Sequence, residues 1–549
     1  MSDFVSLALV WWASFVGSMV ATLSFVVFLG LVYKLCIYPE FISPLRNLPG
    51  PKDHHILLGQ HLNQFKSGDP EEPYMAWMRR WPSQPLIRYY EFLHGDAVLI
   101  NSPKVYQEVM NNHCYSFVRS VPFRRLIGDI IGEGLVFAEG DTHRVQRRAL
   151  GGLFTKSNIR TYVPGFNKKA MKLVQDVDNA ARGPGKVEIK HLFAKVTLDV
   201  IGIFAFGIDL SQFKLRDEFV ACYSSMFDLT QYGMLLAAVN LVVPVRWLPV
   251  KENNKFMHAS VRLRQIMTEI TDRRIRDMQD AKRCGTLYDN EGSLRKKDML
   301  TYMVETRYMA SHDPWTKADL VEQALNFLAT GHETTAGALT FALHLLFQHP
   351  RVVRKIRAEA RTASIFAGDF NTNDEFGGGP SFNQVDSLQY LDNVLKECLR
   401  ILPPVAGIPR VATKDVVISG QVIPKGTTLM PVPAVMHHNP AIWGPDADEF
   451  KPERWEKPAG GAIDAEHYAW VGFGHGPRAC IGRALAELNV KIVLLQLVMR
   501  FDFRPVNTGK VPVVNPSGQL RPRGNVWMQV RRANAKFGFN KETNQYYCL

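Results

Sequence analysis

The 549-residue chain is 46% hydrophobic, enough to bury a large core, and its seven cysteines include no CxxC pair. That argues against a disulfide framework or a structural zinc site and fits a reducing compartment. The formal charge of +13 is interleaved with acids and forms no dense basic block, so nucleic acid is not the expected partner, whereas an anionic membrane surface or an acidic protein is.

Residues Phe4 to Tyr33 carry no charge, a run more than long enough to cross a hydrocarbon core of roughly 30 Å at about 1.5 Å per residue. The run lacks a preceding basic stretch and is too long for a cleaved signal peptide. Lys34, Arg46 and Lys52 follow it, which places the body of the chain in the cytosol. We read residues 1–34 as a single-pass membrane anchor. Pro39, Pro44, Pro49 and Pro51 then predict the end of the helix and a stiff hinge over 35–52. Beyond it, PLIRYYEF and DAVLINSP read as short strands. The remainder is mostly helical by period, with polar breaks at CGTLYDNEGS and AGDFNTNDEFGGGP. No break resembles an interdomain linker, so 53–549 reads as one mainly α domain with small β-sheets, an α+β class.

Three later stretches carry chemistry. A helical pattern runs from about Lys317 to Gln348 and ends before Pro350; it contains Thr330, Gly331, His332, Glu333, Thr334 and Thr335. Asn326, Thr330 and Thr334 fall on one side of it, and such threonines ordinarily bond back to the i−4 carbonyl. In KECLR, Glu397 and Arg400 lie three apart on a helix whose buried side is marked by Leu388, Leu391, Val394, Leu395 and Cys398. A pair at that spacing is ordinarily a surface bridge. Finally, FGHGPRACIG places Cys480 after a turn made by Gly474, Gly476 and Pro477, with Arg478 two residues away and a helix start just beyond. Both the charge and the helix N-terminus favour a thiolate. A lone thiolate suits a nucleophile or the axial ligation of haem iron, and the stretch shows no triad signature.

FGHGPRACIG resembles the haem-binding signature of the cytochrome P-450 superfamily, matched at Phe473, Gly476, Arg478, Cys480 and Gly482. Three further stretches match in order. The resemblance implies the cytochrome P-450 fold, haem b (iron protoporphyrin IX) as cofactor and Cys480 as the axial iron ligand. It implies that Glu397 and Arg400 are buried together with Arg454 of KPERW, fixing the loop that bears Cys480. In the long helix it makes Thr334 and Glu333 the oxygen-activating pair, one a hydrogen-bond donor and one a proton relay, with Gly331 leaving room for dioxygen; Thr330 departs from the family's small apolar residue. In GDTHRVQRRAL it makes Arg147 a haem-propionate ligand and His143 a substitute for the family's tryptophan. Arg410 and Arg478 are implied as further propionate ligands.

The implied activity is that of a haem-thiolate monooxygenase anchored in the endoplasmic reticulum, monomeric in its catalytic unit. Electrons are expected from NADPH through a separate reductase, with cytochrome b5 as an optional second donor, because the chain has no dinucleotide fingerprint of its own. Expected pocket residues are Asn326, Thr330, Val405 and Ala406, with the segments Phe117–Ile131, Met234–Val243 and Ser517–Leu520. Their apolar character suggests a terpenoid, polyketide, alkaloid or other lipid-like substrate of fungal secondary metabolism. The rivals are a fatty-acid, sterol or xenobiotic hydroxylase of primary metabolism, an isomerase or dehydratase that uses no NADPH, and a non-catalytic haem carrier.

Overall fold

The computed structural model describes residues 2–61, 63, 69–212, 215–227, 229–286, 298–309, 315–365, 379–456, 468–506, 513–514, 520–533, 537–540 and 545–548. Most of the two polar breaks, and the Ser517 turn up to Leu520, lie outside them.

Helix α1 (Ser2–Val32) runs directly into a π-helical segment, Tyr33–Ile42, that contains Pro39. The expected helix stop at the first proline is therefore corrected. In the wider i→i+5 register the missing proline N–H costs one bond, and the Ser43 N–H closes the segment on the Tyr38 carbonyl at 2.8 Å. Phe15–Ile42 is long and apolar enough to cross a membrane, and its most apolar stretch is unburied. Its foot is fastened to the body. The Pro39 carbonyl accepts from Arg88 Nη2 at 3.0 Å, and the Ser43 hydroxyl donates to Asp96 Oδ2 at 2.7 Å. Arg88 and Asp96 are themselves a buried ion pair at 2.7 Å.

The two sequence-predicted strands are β1 (Leu86–Tyr90) and β2 (Asp96–Ile100), paired as an antiparallel hairpin. With β3 (Phe117–Arg119), β4 (Arg410–Ala412) and β5 (Thr428–Met430) they form one sheet of order β1-β2-β5-β4-β3, in which only β2 and β5 run parallel. Alternating apolar residues of β2 face two separate clusters, Val98 and Ile100 on one side, Ala97 and Leu99 on the other.

The helical part is built from α2 (Val121–Ile131), α3 (Gly140–Gly151), α4 (Ile189–Phe206), α5 (Leu215–Phe227), α6 (Gln231–Val242), α7 (Lys317–Gln348), α8 (Gln389–Ile401) and α9 (Arg483–Arg500), followed by the short strand β6 (Arg521–Pro522). Helix α7 occupies the predicted span. A capping box starts it, since Thr316 Oγ1 accepts from the Asp319 N–H at 3.1 Å while the Asp319 carboxylate accepts from the Thr316 N–H at 2.7 Å. Pro350 begins the next helix. Because α7 is apolar nearly all round, it is buried nearly all round. Between Gln323 and Leu346 only Thr330, Gly331, Thr334 and Gly337 remain partly open, the last three spaced one turn apart along one stripe.

Candidate active site

The Cys480 loop is closed by its own backbone. The Cys480 N–H donates to the Phe473 carbonyl at 2.8 Å, and the Ala479 N–H to the Gly476 carbonyl at 3.0 Å. Gly476 sits at φ +74°, and a Cβ there would come within 2.2 Å of the Met110 carbonyl. Glycine is thus demanded by the turn and by contact with the chain at Met110. Phe473 is partly buried, packed edge-on to Trp470 and lying under the Arg483 guanidinium.

Cys480 keeps accessible surface, yet its thiol is surrounded deeply enough for burial to push its pKa up. Both hold for a sulfur lining an internal recess. The Gly482 N–H and the charges of Arg147 and Arg483 pull the other way without prevailing. Arg478, expected to favour the thiolate, is engaged elsewhere, its Nη1 donating to the Ala138 carbonyl at 2.9 Å and its Nη2 paired with Glu139. A bound metal ion would supply the missing stabilisation, since a coordinated thiol ionises outright.

Cations crowd the same region. Arg410 is 3% exposed and burial, with Arg478 nearby, lowers it to about 10. Burial and the like charges of Arg410 and Arg478 also hold Arg119 well below its ordinary value. Each keeps a buried donor, Arg119 Nη1, Arg410 Nη1 and Arg478 Nε, that finds no hydrogen-bond partner among the described residues. Orphaned guanidinium donors in the interior are costly, and they fit an anionic group such as the carboxylates of haem. His143 is buried against the Tyr115 hydroxyl, 3.1 Å from Nδ1, and burial with the surrounding arginines pushes it down to about 4, so at neutral pH it is an uncharged hydrogen-bonding group. Arg147 is half-buried on the same helix, α3, one turn on.

Glu397 and Arg400 are completely buried and bidentate, at 2.8 and 2.9 Å. Arg454 Nε adds a third bond to Glu397 at 2.9 Å and the Trp455 indole a fourth at 3.0 Å. Arg400 spends its remaining donors on the carbonyls of His437, Ala447 and Glu449. The ordinary surface-bridge reading of this pair is excluded by that burial.

On α7, Glu333 is buried between His332, at 3.1 Å, and Arg521 of β6, at 3.0 Å. Burial alone would raise its carboxyl, but those two partners hold it down at about 2. Thr330 and Thr334 bond back to the carbonyls of Asn326 and Thr330, both at 2.7 Å. Each hydroxyl proton is thereby committed to the helix, leaving the oxygen as an acceptor. Two expectations on this helix are corrected. A Cβ at Gly331 would lie 2.6 Å from Ile201 of α4, so this glycine serves close helix packing and not an open space. Asn326 is 1% exposed and its amide donates to the Ile131 carbonyl at 3.3 Å, tying α7 to the end of α2. Ala406 packs with Phe341 and Leu520 in a small apolar cluster, and half-buried Val405 adjoins it. Gly337, one turn beyond Thr334, lies against Pro404 and Leu520.

The sequence reading did not single out Arg119, Glu139, Trp455 or Arg521. Trp455, adjacent to Arg454 in KPERW, was the nearest to a visible signal; the others acquire their meaning only from strand register and loop path.

The comparisons with known proteins agree with one another. A family profile described as Cytochrome P450 matches residues 49–528. Similar curated proteins include cytochrome P450 monooxygenase sphH of Aspergillus fumigatus, 29% identical over 90% of each chain, and cytochrome P450 monooxygenase FSL4 of Gibberella zeae, 29% identical over 91% of each. Cytochrome P450 monooxygenase FUM15 of Gibberella moniliformis is 28% identical over 87% of this chain and 86% of its own.

Proposed function

We propose that this chain, which belongs to the cytochrome P450 family and is an oxygen-incorporating haem-thiolate monooxygenase, acts on an apolar small molecule of fungal secondary metabolism at the endoplasmic-reticulum membrane. The observation that carries the site assignment is the set of three buried, unpartnered guanidinium donors beside a recessed cysteine. Cys480 would ligate the haem iron; Arg119, Arg147, Arg410 and Arg478 would bind the haem carboxylates, with His143 as a neutral donor. When bound, haem supplies the oxygen-activating redox chemistry. One atom of dioxygen enters the substrate and the other leaves as water, with two protons and two electrons consumed. The electrons come from NADPH through a separate reductase.

The protein's part is positional. Glu397, clamped by Arg400, Arg454 and Trp455, fixes the segment that leads to the Cys480 loop. Glu333 holds a carboxylate between Arg521 and His332 and is assigned to proton delivery. Thr334 presents a hydroxyl beside the recess for proton positioning. Thr330, Val405 and Ala406 line the substrate side, and Asn326 supports it from behind through α2. Microsomes containing the protein and a reductase, supplied with candidate intermediates, test the reading: NADPH-dependent dioxygen uptake with a product heavier by one oxygen atom supports it. Turnover of a peroxide substrate without NADPH would point instead to an isomerase.

A further inference from the structure

Glu139 is an acid set among cations. Its Oε1 accepts from the Arg119 N–H at 2.9 Å and its Oε2 pairs with Arg478 Nη2. The residues just before it hold the same arginines through carbonyls: Val136 accepts from Arg119 Nε at 3.2 Å and Ala138 from Arg478 Nη1 at 2.9 Å. The stretch 136–139 therefore grips two guanidiniums and leaves each with a buried donor free, Arg119 Nη1 and Arg478 Nε, among the described residues. Arg410 faces Arg119 directly across the β3–β4 register and keeps a third free donor. Like charges opposite each other on paired strands repel, and nothing but an anion relieves that in the interior. Three guanidiniums against the one carboxylate of Glu139 leave two positive charges over, and Arg147, which also acts on His143, adds a third. His143, uncharged at neutral pH, adds none.

We propose that Glu139 is a positioning residue, the internal counterion that aims Arg119 and Arg478 at the haem carboxylates and lowers the surplus positive charge around them. This rests on the haem site assigned under the proposed function. Glu139→Gln keeps the shape and removes the charge, and the holoenzyme gives two readouts besides activity. The midpoint potential should move upward, because removing a nearby negative charge favours reduced haem, by about threefold or more in the reduction equilibrium at an effective dielectric near 20. Transfer of haem to apomyoglobin should accelerate, because Arg478 loses its charged tether. Glu139→Asp keeps the charge and should restore the potential, with haem loss intermediate between the two.

An unchanged potential in Glu139→Gln overturns the proposal whatever haem loss does, since Glu139 would then only shape a loop. Should the Gln variant fail to take up haem, the Asp variant decides: holoprotein at the wild-type potential supports the counterion role, and no holoprotein there either overturns it. Failure of the underlying haem assignment looks different, because the unmodified chain would itself lack the ferrous carbonyl band of a thiolate-ligated haem.

Discussion

Glu333 and Arg521 form a buried ion pair at 3.0 Å that joins the middle of α7 to β6, directly after Leu520 of the small apolar cluster. The carboxylate is held at about 2, below its ordinary 4.5. A depressed carboxyl adds stability above its unfolded pKa and loses it as the pH falls through the folded value. The stabilisation from Glu333 is therefore present above about pH 4.5 and fades toward pH 2, about 3 kcal/mol for a shift of this size. In Arg521→Gln the carboxyl keeps His332 and the weaker pull of Lys190 but loses its largest stabilising charge, so it rises and the acid limb of product formation moves to higher pH. The pH profile of coupling, product formed per NADPH consumed, measures this; an unmoved limb means that Arg521 does not set the charge of Glu333.

Thr334→Ala should uncouple turnover, with NADPH still consumed but hydrogen peroxide released, because a positioned hydroxyl is lost from the recess. Thr330→Ala should leave coupling largely intact and instead weaken substrate binding by about 1 to 3 kcal/mol or shift the oxidised position. Since the Thr330 proton is committed to the Asn326 carbonyl, the substrate group it meets is a donor. Peroxide yield, affinity and product position on both variants decide, and uncoupling by Thr330→Ala with unchanged binding would refute the division.

Glu397→Ala and Arg400→Ala each strand a charge in the interior and should cost about 3 to 5 kcal/mol, yielding little holoprotein. Trp455→Phe removes one neutral donor to the same carboxylate and should cost about 1.5 to 3 kcal/mol, visible as a lowered melting temperature with haem retained. Cys480→Ser should abolish the long-wavelength ferrous carbonyl band, whereas Cys398→Ser, at a thiol whose pKa burial raises, should keep it.

Removing residues through Tyr33 deletes most of the apolar span but spares the bonds made by Pro39 and Ser43, so the chain should become extractable from membranes with its haem content unchanged. Full retention in the membrane fraction would place the anchoring elsewhere. The exposed apolar residues Tyr232, Leu235 and Val239 of α6, with Trp247 beyond it, are then the surface to remove.

What could be read in advance depended on how local the determinant was. Helix α7 was legible to the residue because its apolar period, its capping threonine and Pro350 are all near-neighbour signals. The Glu397–Arg400 pair was visible as a spacing, but nothing in KECLR says that the pair is buried; that follows from the carbonyls of His437, Ala447 and Glu449 folding over it. Arg119 and Arg410 stand 291 positions apart in the chain and meet only through strand register, which no local pattern encodes. Pro39 misled because a rule about α-helices was applied to a segment that is wound more loosely.

That segment also has a geometric consequence. A flexible leash between a membrane span and a soluble body would let the body swivel, but here the last turns of the span are bonded to the first hairpin of the catalytic sheet. The body inherits its azimuth from the span. Adding one residue within α1 would turn the two relative to each other by about 100°, so which side of the enzyme looks down on the lipid is set by helical phase, residue by residue, rather than by the average length of a linker.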